Sequence, residues 1–373
     1  MDVVWIIQRR VNRDTKHILI SNMSGELKSV LEDGLIDGDP LVSVCVITHN
    51  HGKYIRQCLD GILMQKVNFP YEILIHDDAS PDDTADIIRE YWKKYPTVIK
   101  PILQTENQYS QGRSASKFNY DRAKAKYIAL CEGDDYWTYD GKLQMQVDFL
   151  EEHEEYIGTA HNVRVVDENG EDVPDEINQY PIYEEHEFTI TDAEYMRLAG
   201  HYASLVFRNI FCTASSEMLE AYYRCRGIGD RKLVVLLTLH GDIKCFPEVM
   251  SAYRYVTTSG SSWSARVRGK NLAGMMNNYY LDMMDFADRW FAKDLRMEAP
   301  LFVNMLGSLK RMLIMRTCED VKVVKTIVCD MRFWKRILRG LSHPVIMVRR
   351  TINYLNLPKR SAVGYDSLYF LKR

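Results

Sequence analysis

The 373-residue chain contains no uninterrupted apolar run of about eighteen residues, so its sequence offers no segment suited to crossing a bilayer as a helix. It also lacks Cys-x-x-Cys pairs. Its eight cysteines, Cys45, Cys58, Cys131, Cys212, Cys225, Cys245, Cys318 and Cys329, are scattered and several fall in apolar runs. That pattern argues for reduced thiols in a cytosolic protein and against a disulfide framework or a zinc site. Neither a Gly-x-Gly-x-x-Gly turn after the first strand-like run nor a Gly-x-x-x-x-Gly-Lys-Ser/Thr loop is present, which excludes the two common glycine-based phosphate cradles. His161 and His240 have no partner at His-Glu-x-x-His spacing, and His76 lies inside an apolar strand-like run, so no histidine is expected to hold a metal. The opening MDVVWIIQRRVNRDTKH places a short apolar patch before its basic residues, the reverse of a secretory signal.

What is present is a soluble globular composition, 46% hydrophobic and 27% charged, at a length that suggests two domains. The formal net charge of −3 conceals an asymmetry. From Leu309 to Arg373 there are fifteen Lys or Arg against four Asp or Glu, so a basic segment follows an acidic body. Such a segment points to an anionic partner, and with no nucleic-acid recognition motif in the chain, a membrane surface is the expectation and nucleic acid is not.

The order of elements indicates an α/β protein. Val42 to Thr48 is β-rich without alternation, as in a strand buried on both faces of a parallel sheet. Helical spacing follows at Ile55, Leu59, Ile62 and Leu63; then a second strand, Tyr71 to His76, ends on Asp77-Asp78-Ala79-Ser80. Pro81-Asp82-Asp83-Thr84 reads as a helix start, with Ile87, Ile88, Tyr91, Trp92 and Tyr95 along one face. A third strand at Pro101 to Leu103, a helix around Ser116 to Lys124 and a fourth strand at Tyr127 to Leu130 complete the alternation of a mainly parallel sheet. Ligands bind outside the carboxyl ends of such strands, and here those ends carry Thr48-His49-Asn50, Asp77-Asp78 and Glu132-Gly133-Asp134-Asp135. Each cluster alone is ordinary turn chemistry, but their common placement favours one ligand site. Carboxylates repel a phosphate unless a hard cation lies between them, so Mn²⁺ or Mg²⁺ on a diphosphate is the chemistry that fits.

These three motifs, in this order, resemble the inverting nucleotide-sugar glycosyltransferases of family 2 with the GT-A fold, over about residues 40–265 and most closely the bacterial enzymes that build capsule, O-antigen and other surface polysaccharides. The resemblance implies that Asp78 accepts a hydrogen bond from the uracil of a UDP-sugar, that Asp77 supports that turn, and that Thr48, His49 and Asn50 border the base. It implies Asp134 near the ribose, Asp135 as metal ligand, Trp137 packed beneath the turn, and Asp230 as catalytic base. Asp230 also suits a cap for a helix from Lys232 to Leu239, and the two readings are compatible. The Gln-x-x-Arg-Trp motif of processive members is absent, with Ser262-Trp263-Ser264 the nearest feature, so transfer of a single sugar is expected.

The expected organisation is an N-terminal extension over 1–40, a catalytic domain over 41–265 and a basic, helical C-terminal region over 266–373. The acceptor implied is a glycan or a polyprenyl-linked sugar, and the expected location is cytoplasmic, with peripheral attachment to the inner face of the cytoplasmic membrane as a further expectation. Phe333 to Arg339 mixes apolar and basic residues at helical spacing and reads equally as a bilayer-facing amphipathic helix or as a helix with a solvated basic face. Two other readings stand beside the transferase: a nucleotidyltransferase on a similar sheet, which would favour a glycine-rich basic loop that is absent, and an inactive glycan- or membrane-binding homologue.

Overall fold

The computed structural model describes residues 38–174, 180, 182–256 and 271–356. Most of the N-terminal extension, Ser262-Trp263-Ser264, the expected boundary at 265 and the last part of the basic segment lie outside the described residues. The chain divides into two compact units between Glu152 and His153.

In the first unit four strands run parallel in the order β3-β2-β1-β4: β1 (Val42–Thr48), β2 (Tyr71–Asp77), β3 (Ile99–Leu103) and β4 (Tyr127–Glu132). Continuous Val, Ile and Leu runs form these strands because both faces are covered, and every residue of β2 is buried. Helix α1 (Ile55–Leu63) joins β1 to β2 and turns Ile55, Cys58, Leu59 and Ile62 onto the sheet. Burying each of its larger aliphatic side chains contributes about 1.5–3 kcal/mol. Helix α2 (Thr84–Lys94) joins β2 to β3. Its buried face is narrower than the sequence suggests, since Ile87 and Ile88 are buried whereas Trp92 is 46% exposed and the Tyr91 hydroxyl donates outward to Asp60.

The expected helix at 116–124 contracts to one turn, α3 (Lys117–Tyr120). Its polar side chains bond to strand backbone instead: Asn119 donates to the Val46 carbonyl at 2.8 Å and Arg122 to the Ile75 carbonyl at 2.9 Å. A short strand β5 (Tyr136–Trp137) and helix α4 (Lys142–Glu152) follow. Trp137 is buried, and its carbonyl lies 2.7 Å from where a Cβ on Gly61 would stand, so α1 approaches this closely only because residue 61 is glycine.

The second unit is built on β6 (Tyr156–Val166), parallel to β9 (Asp242–Arg254) and antiparallel to β8 (Val206–Arg208), with β7 (His186–Phe188) antiparallel to β9. The β6–β9 register slips between His161, opposite Phe246, and Asn162, opposite Val249. Pro247, which has no N–H for the ladder, sits in that bulge, and Asn162 bridges it by donating to the Pro247 and Tyr183 carbonyls at 2.8 and 2.7 Å. Helices α5 (Ile190–Glu194), α6 (Ser216–Arg224) and α7 (Gly229–Thr238) complete this part. Among the described residues five further helices follow: α8 (Ala273–Phe291), α9 (Glu298–Met315), α10 (Cys318–Cys329), α11 (Met331–Leu341) and α12 (Pro344–Asn356).

The arginines of Phe333 to Arg339 form neither a solvated nor an outward-facing basic face. Arg336 donates to Asp285 at 2.7 Å, and Arg339 reaches Asp294 and the buried Glu298. Arg332 joins them by bonding Asp282 and Asp285 at 2.9 and 3.3 Å, so the charged side of α11 closes onto α8 and α9. The sequence could not reveal this, because the acids that attract these arginines lie some forty to fifty residues earlier.

Candidate functional site

Strand register assembles the acidic turns. Thr48 stands opposite Asp77 and Ile47 opposite Glu132, so β1, β2 and β4 end level and deliver their polar residues to one edge of the first unit's sheet. Two main-chain bonds tie the turns to β1: the Asp78 amide donates to the Thr48 carbonyl at 3.0 Å and the Gly133 amide to the Ile47 carbonyl at 2.9 Å.

Asp77 and Asp78 are both buried, in different company. Asp77 accepts from the Ser80 hydroxyl and amide, and burial pushes its carboxyl above the usual range against the pull of those bonds. Asp78 accepts from the amides of Gln108 at 2.7 Å and Tyr109 at 3.0 Å, one on each oxygen, and so fixes the loop after β3. His49 Nδ1 lies 3.0 Å from the Asp78 carbonyl, which also accepts from Asn107 at 2.9 Å. Asn50 and Ala79 both take left-handed backbone, with φ of 61° and 57°, and the Asn50 amide donates to Ser80 Oγ at 2.8 Å. Asparagine tolerates this region, whereas Ala79 is held there at a cost of roughly 1–3 kcal/mol, so the Asp77–Ser80 turn is the strained one.

The second half of the edge is the Glu132–Asp135 turn. A carboxylate oxygen of Glu132 and one of Asp135 lie within 4.8 Å of each other, and Asp135 is buried. Asp134 pairs with His51, Nε2 to Oδ2 at 3.5 Å. Two neighbouring carboxylates, one of them buried, form an oxygen donor set suited to a hard divalent cation, so these residues fit Mn²⁺ or Mg²⁺. Gly133 permits the close fit: a Cβ there would stand 2.6 Å from Thr48 Oγ1 and 2.9 Å from His51 Nδ1. Thr48 Oγ1 is buried without a hydrogen-bond partner among the described residues, an orphaned polar atom at the junction of the two halves.

Sequence reasoning missed His51, Asn107, Gln108 and Tyr109. His51 carries no motif of its own, and the loop residues become significant only through the carboxylate they hold. His76 is a core residue: it stacks on Phe118 at 4.5 Å between centroids, and burial pulls its pKa down to about 4.

Asp230 belongs to the second unit. It lies in the first turn of α7, where the cap position is Ile228, so Asp230 does not cap that helix; its side chain accepts from the next amide, Arg231, at 2.7 Å. A carboxylate in a first turn is favoured by the helix dipole. Burial pushes its carboxyl up, opposed by the charge of Arg231. Arg231 itself is buried and donates to the Met196 carbonyl.

Residues 43–211 match the family model described as glycosyl transferase family 2. An uncharacterized protein of Mycobacterium tuberculosis is 45% identical over 130 residues, 35% of this chain and 37% of that one. The chain thus aligns with little more than a third of that relative's length. The putative teichuronic acid biosynthesis glycosyltransferase TuaG of Bacillus subtilis is 34% identical over 113 residues, 30% of this chain and 43% of that protein. Among solved structures, residues 1–349 of Staphylococcus aureus TarS in complex with UDP superpose with a TM-score of 0.54 at 14% identity, covering 89% of this chain and 92% of that one. That likeness shows a shared GT-A-like α/β fold.

Proposed function

We propose that this chain, whose residues 43–211 match the family model described as glycosyl transferase family 2, transfers one sugar from a UDP-sugar to a hydroxyl of a glycan or polyprenyl-linked acceptor, with inversion. The observation that carries the reading is the level ending of β1, β2 and β4, which places Thr48, Asp77, Asp78 and the Glu132–Asp135 turn on one sheet edge. The catalytic part is 41–265, followed by the helical region 266–373 and preceded by 1–40. The name of the TuaG relative supports an acceptor in bacterial surface-polysaccharide assembly, the class that includes capsule and O-antigen. UDP is the nucleotide bound in TarS, whose fold this chain shares.

In this mechanism the turns at Thr48-His49-Asn50 and Asp77-Asp78 receive the base. Each Asp78 oxygen already accepts one amide, and a second lone pair remains for a base N–H. Asp134, oriented by His51, is positioned to accept from a ribose hydroxyl. A Mn²⁺ or Mg²⁺ ion held by Asp135, with Glu132 beside it, would neutralise charge on the leaving diphosphate. Asp230 takes the proton of the acceptor hydroxyl as the new oxygen–carbon bond forms at the anomeric carbon and the bond to the diphosphate oxygen breaks on the opposite face. Its raised pKa makes it a stronger base than an exposed aspartate.

The test is a thermal-shift titration with UDP, GDP, CDP and ADP, each with and without Mn²⁺. A melting point raised by UDP only with metal, and lost in Asp135→Ala, is the expected result. No response to any nucleotide overturns the reading, and an equal response of Asp135→Ala overturns the metal assignment.

A further inference from the structure

The inward turn of the α11 arginines leaves that helix with an apolar face toward solvent. Met331, Trp334, Leu338 and Leu341 recur at helical spacing, and all four are exposed, Leu338 by 63% and Trp334 by 40%. The side opposite carries the inward arginines, and the apolar flank between them is already satisfied, since Phe333 and Ile337 are buried. Helix α12 repeats the pattern: Met347 and Tyr354 face inward, while Val345, Val348 and Ile352 form an exposed stripe, Val345 at 79%. A soluble monomer rarely leaves two consecutive helices with outward apolar stripes unless something covers them.

Charge identifies the cover. Residues 331–356 contain no Asp or Glu. Of their six cations, Arg332, Arg336, Arg339 and Arg350 reach inward to acids, Arg350 to the buried Glu194 at 2.6 Å. The other two, Lys335 and Arg349, are exposed, and each lies beside its stripe, Lys335 one helical turn from Leu338 and Arg349 one turn from Val345 and from Ile352. Between two copies of the chain, an isologous contact would press these cations against their own counterparts with no acid in the patch to offset them. An anionic lipid surface instead accepts the apolar stripes at the acyl boundary and the cations at the headgroups. Among the described residues no helix is long and apolar enough to cross a membrane, so attachment by this route is interfacial.

We propose that the outward stripes Met331-Trp334-Leu338-Leu341 and Val345-Val348-Ile352, with Lys335 and Arg349, form an interfacial docking surface for an anionic bilayer. This inference does not depend on the donor or the reaction. The test is sedimentation of the full chain with vesicles of phosphatidylcholine, alone or mixed with phosphatidylglycerol, without nucleotide. The chain should pellet with the mixed vesicles only. Trp334→Ser/Leu338→Ser should weaken partitioning at least about tenfold, because two of the largest inserted side chains are removed. Lys335→Glu/Arg349→Glu should weaken it comparably and flatten its dependence on salt. Lys335 and Arg349 are exposed, so the charge variant should keep the parent's circular dichroism and melting point. Trp334 also donates to the Val328 carbonyl at 2.8 Å, so the serine variant should keep the circular dichroism with a slightly lower melting point. Leu338→Ser alone, at an exposed position without that bond, should weaken partitioning at the parent's melting point. Equal pelleting with the two lipids, or wild-type partitioning by the serine variant, overturns the proposal. So does a dimer in analytical ultracentrifugation that the serine variant dissociates, since the surface would then belong to a second copy.

Discussion

The carboxylates of the C-terminal helices and those of the proposed site follow opposite electrostatic rules. In the helical region Asp320 is buried and accepts from Arg311, Asn271 and Thr317, while Asp282 accepts from Arg226 and Arg332. Burial alone would raise both, but these donors prevail and hold both carboxyls below the usual range. Among the described residues Asp77 and Asp230 accept from hydroxyl and amide donors and from no cationic side chain, and burial prevails and raises both. One residue type is therefore used in two ways. A carboxylate paired with arginine contributes to stability, whereas one held up by burial is costly to keep ionised and available for proton chemistry.

The largest expected effect separates those two uses. Asp230→Asn preserves shape and removes a costly charge, so it should lower the rate of transfer by about a thousandfold, within the span of lost general-base catalysis, and leave the melting point near that of the parent. The pH dependence has a definite sign. Because the Asp230 pKa is raised and the ionised form is the base, activity should decline as pH falls through a value above that of an ordinary aspartate, with the acid limb absent from the residual activity of the variant. If transfer survives in Asp230→Asn, the base lies elsewhere.

The next effect is purely one of stability. Arg311→Ala leaves the buried Asp320 without its cation, and breaking such a pair costs about 3 kcal/mol. Asp320 has a depressed pKa, so its contribution is present above the unfolded aspartate value near 3.9 and is lost as pH falls through the lower folded one. Urea midpoints measured from neutral to acid pH should therefore converge for parent and variant at the acid end. A constant gap would show that the loss came from packing of the Arg311 stem.

The same contrast explains what could be read in advance. The four parallel strands were legible because runs such as Val42 to Thr48 and Tyr71 to His76 are buried on both faces, and such burial leaves an unalternating apolar pattern. The convergence of the acidic turns followed from the same parallel order. The N-cap of α7 was not legible, because Asp230 is a favoured capping residue while the helix starts at Gly229, placing it one position inside. Nor was the direction of α11: in sequence, Arg332, Arg336 and Arg339 look like a water- or lipid-facing side, and only packing against Asp285, Asp294 and Glu298 turns them inward. A periodic pattern identifies two sides of a helix, but which side is covered depends on distant partners.

The smallest expected effect tests whether the strand-edge carboxylates include a structural member after all. Asp78 accepts one amide on each oxygen. Asp78→Asn keeps one acceptor but turns an NH₂ toward the other amide, so one bond is lost and two donors face each other. The cost should be about 1–3 kcal/mol, concentrated in the loop and not spread over the sheet. Hydrogen exchange is the direct measure: the Gln108 and Tyr109 amides should lose protection while those of β1 and β2 keep theirs. Nucleotide affinity should fall with the loop's order, because the turn proposed to receive the base is built on that carboxylate. Unchanged exchange at both amides would mean that the loop is held by other contacts, such as the 2.7 Å bond from Arg113 to the Gln108 side chain. Asp78 would then belong with Asp230 as a residue kept for the ligand alone.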